Sequence, residues 1–219
     1  MRHTLLLCCL LLTTPFLVGS SCAFFFSTGD SDPRSKDPND PPILTARGQF
    51  IGEPVSGIAF ESGSVSGVTG ENGEFTYEEG GTVSFFLGDI PLGDEIEGRE
   101  IVTPIDLVEG GDANDPAVIN IARLLQSLDA TPGDDDITIP ASVSQDAVTT
   151  SSTLYWAIES LDFGDEEAFA NAGSALVAAL TQDYPHAATL VDAGAAQKKM
   201  LRSISARQRQ RAETAQEIQ

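Results

Sequence analysis

The chain has 219 residues and a formal net charge of −21, with 33 Asp and Glu against 12 Lys and Arg. From residue 48 to 197 stand 27 acidic residues and only two basic ones, Arg99 and Arg123, while six further cations crowd into residues 198–211. Such a body argues against nucleic-acid binding, which needs a positive field to meet phosphate, whereas a hydrophobic content of 41% suits an ordinary globular core.

Residues 1–22 read as an export signal. Arg2 and His3 make a short basic start, residues 4–18 are dominated by Leu, and small residues follow at Gly19, Ser20 and Ser21. The apolar run is shorter than the roughly 20 residues of a membrane-spanning helix, and Pro15 interrupts it. Gly19-Ser20-Ser21-Cys22 resembles a bacterial lipobox, with Gly19 standing where Leu is usual; this implies lipidation of Cys22. Ordinary signal-peptidase cleavage after Ala23 is the alternative, since Ser21-Cys22-Ala23 also has small residues on both sides. Residues 23–43 are expected to form a disordered tether, because residues 27–42 are rich in Ser, Asp and Pro and nearly empty of apolar side chains. Phe24, Phe25 and Phe26 would lie at the membrane interface beside the acyl chains. All three cysteines, Cys8, Cys9 and Cys22, fall in the leader or at its edge, so the body holds no disulfide or thiolate site.

Residues 44–108 are expected to form a small antiparallel β-sandwich. Val55, Gly57 and Ala59 alternate with Ser56, Ile58 and Phe60, and residues 74–77 and 82–87 carry the aromatic and β-branched side chains of half-buried strands. Asn72-Gly73 before an aromatic strand predicts a hairpin turn, because both residues tolerate positive φ. Gly80-Gly81, Gly88-Asp89 and Gly93-Asp94 mark further turns. Strands this short and closely spaced favour a sandwich over a parallel sheet.

The pattern V-x-G-x-x-F at Val55, Gly57 and Phe60 is followed by G-x-T-x-x-N-G-x-F-x-Y from Gly67 to Tyr77, then by Val83 and Phe85. It resembles the carboxypeptidase-regulatory-like or transthyretin-like β-sandwich group, departing from it at Gly70, where that group more often has Asp. The string continues through Leu87-Gly88, Leu92-Gly93, Val102-Thr103-Pro104 and Asn120-Ile121-Ala122-Arg123-Leu124-Leu125. In this longer form it is similar to a set of uncharacterised bacterial surface lipoproteins. The resemblance implies a sandwich fold in an envelope setting and supplies no active site.

Residues 109–219 are expected to be helical with a basic tail, giving an α+β fold in all. Asn114 or Asp115 is the predicted N-cap of a helix with Pro116 in its first turn. Val118, Ile121, Ala122, Leu125 and Leu128 follow at helical spacing. Residues 130–136 end this helix and residues 137–140 read as a short extended piece. Residues 153–161 form a further apolar pattern, in which Trp156 is expected to pack into the core. Asp165 caps a helix over residues 166–181, and a last pattern over residues 190–216 carries Met200, Leu201 and Ile204 before turning polar. Its basic segment reads as a solvated tail helix rather than a contact for anionic lipid or an acidic partner.

Asp129 with Asp134, Asp135 and Asp136 is the densest carboxylate cluster and the single candidate for a calcium site. Thr131 and Gly133 break the EF-hand pattern, so a solvated turn is the expectation, and no other cofactor is expected. Catalytic motifs are lacking. His186 is the one histidine outside the leader, and Gly63-Ser64-Val65-Ser66-Gly67 puts Val at the nucleophile position of a G-x-S-x-G elbow. The carboxylate pair of a glycoside hydrolase would leave no sequence motif. The expected function is a non-catalytic lipoprotein anchored in the cell envelope, in the outer membrane, whose sandwich binds a protein or glycan partner. The alternative is a secreted, carboxylate-based, glycan-active enzyme.

Overall fold

A computed structural model of the chain describes residues 42–149 and 154–217. The strands are β1 (Thr45–Phe50), β2 (Val55–Ser56), β3 (Ala59–Ser62), β4 (Val65–Val68), β5 (Glu74–Glu78), β6 (Thr82–Leu87), β7 (Ile90–Pro91), β8 (Ile96–Glu97), β9 (Ile101–Val102) and β10 (Ile137–Thr138). The helices are α1 (Pro116–Ser127), α2 (Ala141–Asp146), α3 (Tyr155–Glu159), α4 (Glu166–Leu180) and α5 (Ala193–Glu217). The fold is α+β, a β region with mixed pairing followed by helices.

Alternation along two strands builds the core between the sheets. In β5, Phe75 and Tyr77 point inward between exposed or half-buried Glu74, Thr76 and Glu78, and in β6 Val83, Phe85 and Leu87 do the same. One of the two larger sheets has the order β5-β1-β9; the other runs β4-β3-β6-β7, with β8 also paired to β6, and β2 and β10 form a separate two-stranded sheet. Phe85 closes the space between them, meeting Phe50 and Phe75 edge-on at centroid distances of 5.0 and 5.1 Å. Edge-to-face contacts suit the ring quadrupole and add to the apolar burial.

Three expectations about this region need correction. The pairing is not wholly antiparallel: β1 runs parallel to β9, and β2 parallel to β10. Both pairs join strands far apart in sequence, and parallel pairing requires such long crossovers. The predicted single strand through residues 54–60 is split into β2 and β3, because Gly57 (φ +93°) breaks the run; a Cβ there would stand 1.9 Å from the Ile139 carbonyl oxygen. The Asn72-Gly73 turn forms, yet it does not join hairpin partners. β4 pairs with β3 and β5 with β1, so the chain crosses from one sheet to the other. The reason is a close backbone approach: Phe50 N–H donates to the Gly73 carbonyl at 2.8 Å, and a Cβ on Gly73 would meet Phe50 O at 2.3 Å.

The helical part begins where the residue types demand. Asp115 caps α1, its Oδ1 accepting from Ala117 N–H at 2.8 Å, with Pro116 in the first turn. Ile121, Leu124, Leu125 and Leu128 join the same core as the strands, while Val118 and Ala122 pack on Met200 of α5. Asp165 caps α4 by accepting from Glu167 and Ala168 N–H. The short α2 begins after Pro140, buries only Val143, and has no clear periodic signal in sequence.

A polar seam along α1 binds the later chain. The buried Arg123 donates through Nε to Val191 O at 2.8 Å and through Nη1 to Asn120 Oδ1 at 2.9 Å. Its guanidinium lies 5.2 Å from the Phe169 ring centre. Asn120 Nδ2 in turn donates to Phe163 O, and the Ser127 hydroxyl accepts from Val191 N–H.

Two helical expectations also change. Trp156 is 54% exposed and its neighbour Tyr155 51% exposed, because the five-residue α3 is too short to bury more than one position, and Ala157 takes it. α5 is no free solvated tail in its first half, where Ala196 and Met200 are buried.

Replacing Phe85 with Ala should cost about 3–5 kcal/mol of unfolding free energy in a urea titration. A loss under about 1 kcal/mol would show that the ring does not bridge the sheets.

Candidate functional site

The chain between β1 and β2 makes a turn at residues 51–54 that faces α5. Ile51 N–H donates to Val102 O at 2.7 Å and Pro54 O accepts from Ile137 N–H at 2.8 Å, so both ends of the turn are pinned to neighbouring strands. Glu53 sits in this turn with φ +128°, the only non-glycine residue with positive φ among the described residues. A side chain held there is strained, and such strain persists only where the surroundings enforce it.

The Glu53 side chain is only 2% exposed. Together with Phe50, Val55, Ala122, Leu125 and Ile137 it lines a small cavity. Lys199 of α5, whose own side chain is 42% exposed, forms an ion pair with Oε1. Neither carboxylate oxygen receives a hydrogen bond of ordinary geometry among the described residues. Burial raises the pKa of Glu53, and the Asp129 and Asp135 charges add to this; the contact with Lys199 works against it and does not prevail. A buried carboxyl without its full hydrogen bonding is costly, so this residue is held at the expense of stability.

Beyond Glu53 a cleft of about 600 Å³ opens between the turn and α5. Pro54 and Asp135 form one wall; Lys199, Arg202, Ser203, Ala206, Arg207 and Arg209 form the other. Arg207 lies 3.9 Å from Asp136, and farther along α5 Arg211 pairs with Glu100 at 2.8 Å. The basic segment therefore meets carboxylates of its own chain. Charge complementarity extends the docking of α5 beyond the short apolar stripe, although exposed pairs such as Arg211–Glu100 contribute no more than about 1 kcal/mol each.

The residues singled out as a calcium candidate do not come together. Asp129 is buried and organises the loop after α1: its Oδ1 accepts from Thr131 N–H at 3.1 Å and Thr138 N–H at 3.0 Å, steering the chain back to β10. Asp134 Oδ1 accepts from Asp136 N–H, Asp136 faces Arg207, and Asp135 faces the cleft. No group of three or more His, Cys, Asp or Glu side chains among the described residues is arranged to hold a metal ion. Cys22 lies outside the described residues. His186 lies tilted beside Tyr184, 5.6 Å between ring centres, and the Ser64 amide and hydroxyl both donate to Glu78 Oε1.

A second, more open groove of about 660 Å³ lies between residues 91–94, 107–108 and 159–164. Two of its carboxylates are occupied in turns: Asp94 accepts from Glu109 N–H and Asp162 from Gly164 N–H. The charged cleft is the better candidate, because it alone combines strain, a buried ionisable group and unpaired cations.

Sequence reasoning noticed the basic run of α5 but not Glu53. The interruption Gly52-Glu53-Pro54 between two strand patterns was the available signal. Comparison with protein-family models, curated proteins and solved structures gives no match for this chain.

Because the pKa of Glu53 is raised above its unfolded value of 4.5, its contribution to stability is fully present below that pH. It is lost as pH rises through the folded-state value. The Glu53→Gln variant should therefore gain stability relative to the natural protein as pH increases from 4 to 7, as measured by denaturant unfolding. A difference that is flat or falls with pH would contradict the buried, ionisation-resisting carboxyl.

Proposed function

We propose that this protein is an exported lipoprotein of the cell envelope, anchored in the outer membrane through Cys22, whose non-catalytic body binds a protein or glycan partner. The observation that carries this reading is the order of parts along the chain. An apolar leader ends in small residues before Cys22, a Ser-, Asp- and Pro-rich stretch follows, and a folded body begins near residue 44. A polar spacer of this composition gives an anchored domain reach from a membrane surface. The strongly acidic body supports the same setting, since net charge far from zero keeps an exposed domain solvated and unaggregated. Its basic helix engages carboxylates of its own body, which speaks against α5 as a second membrane contact.

A carboxylate-based glycan-cleaving enzyme is the second reading, favoured by Glu53 and Asp135 lining one cleft with the Glu53 pKa raised. Weighing against it, Lys199 occupies Glu53, and the cleft is walled by arginines with no aromatic platform for a sugar ring. The enzyme reading requires release of reducing sugar from envelope glycans, abolished in Glu53→Gln.

In cell fractionation the natural protein should appear in the membrane fraction with an acylated Cys22 by intact mass, and Cys22→Ala should move it to the soluble fraction. A soluble protein beginning with a free Phe24 would overturn the anchor. Crosslinking on whole cells then identifies the partner.

A further inference from the structure

In a body with so few cations, the cleft beside α5 collects four of them. Lys199 is committed to Glu53 and Arg207 lies near Asp136, but Arg202 and Arg209 have no ion-pair partner among the described residues. They stand seven residues apart on one helix, hence on one face and about 10 Å apart along its axis. Between them on that face is Ala206, whose small side chain leaves room, with the Ser203 hydroxyl beside it. Two guanidinium groups lining one cleft can both donate to a tetrahedral oxyanion, which accepts several N–H donors at once.

A second observation points into the same space. The buried Glu53 carboxylate pairs with Lys199 at its inner end, so the cleft already seats one oxyanion group against a cation of α5. We propose that the cleft binds a tetrahedral oxyanion, a phosphate or phosphomonoester group, held by Arg202 and Arg209 across Ala206 with a further hydrogen bond from Ser203. This goes beyond the anchored-lipoprotein reading and does not depend on whether Cys22 is acylated.

The body's overall negative charge does not forbid such a site. At physiological ionic strength charges beyond about 8 Å are largely screened, so an ion in the cleft responds mainly to the local excess of cations. Glu53 adjusts that excess. The charged groups facing it are Lys199 from α5 and Asp129 and Asp135 from the segment after α1. Ionised Glu53 holds Lys199; on protonation it releases Lys199 to the bound ion, so binding is accompanied by proton uptake and strengthens as pH falls.

Sulfate is the suitable first probe, because it keeps its charge where phosphate titrates. Isothermal titration of the full chain with sodium sulfate, at ionic strength held constant with chloride, should show one site per chain. Arg202→Ser combined with Arg209→Ser should weaken it by about tenfold or more. Glu53→Gln, which frees Lys199, should tighten it by about fivefold at neutral pH. Lys198→Ser removes an exposed cation that does not line the cleft and should change nothing. Undetectable sulfate binding, or an equal loss in Lys198→Ser and in the double arginine variant, would overturn the proposal. Inorganic phosphate and vesicles of phosphatidate in phosphatidylcholine then separate the sources. Competition by free phosphate without vesicle binding assigns a soluble ligand, and vesicle binding lost in the double arginine variant assigns a lipid headgroup.

Discussion

A single buried guanidinium determines what packs against α1. Arg123 has little solvent to hydrate it, so it must find carbonyls and a ring face within the protein, and Val191 O, Asn120 and Phe169 supply them. Removing one partner of such a network leaves other buried groups unpaired, at about 1–3 kcal/mol for each unsatisfied group. This is why segments as far apart as Phe163 and Val191 close on the same helix. α1 otherwise offers apolar side chains in two directions, toward the strands and toward Met200. The β region and the helices therefore share a core, with α1 as their common wall.

The position of α5 follows from α1. Met200 fills the place between Val118 and Ala122, and Gln126 and Gln197 side chains hydrogen-bond across to Ala196 O and Ala113 O. Once the helix lies there, its later turns run past the residue 51–54 turn and the Asp134–Asp136 loop. The cations of α5 then face the carboxylates of the body. Glu53 is the exception to an otherwise relaxed arrangement: its burial raises its pKa, its backbone is strained, and Lys199 only partly relieves it. Strain and incomplete satisfaction at one residue beside a cleft are what make this place the candidate site.

The resemblance to envelope lipoproteins and the charge distribution of the folded body are compatible without being redundant. The first is an expectation about delivery, drawn from the string between Val55 and Leu125 and from the lipobox-like Gly19-Ser20-Ser21-Cys22. The second rests on where α5 docks and which carboxylates its cations meet. An acidic exterior with a cationic cleft would discriminate among small ligands by sign of charge, while the exposed Tyr155 and Trp156 leave a separate aromatic surface on α3. These features belong to different faces of the chemistry and are altered by different substitutions.

The sequence by itself determined the elements whose signals are local. Period-two aromatic strands gave β5 and β6, Asp115-Pro116 and Asp165 gave the starts of α1 and α4, and 3.6-residue spacing gave the buried stripe of α1, because backbone sterics and capping act over a few residues. Pairing was not legible in the same way. The Asn72-Gly73 turn has the composition of a hairpin, but the backbone of Phe50, more than twenty residues earlier, decided which strand β5 joins. Trp156 looked like a core residue because large aromatic side chains usually are, and the shortness of α3 left it outside. The cleft depended wholly on tertiary structure. Glu53 and Lys199 are 146 positions apart, and neither their contact nor the burial that raises the Glu53 pKa can be read until α5 is placed. Desolvation and ion pairing depend on distances in space, and for this pair the chain sets those distances only through everything folded between them.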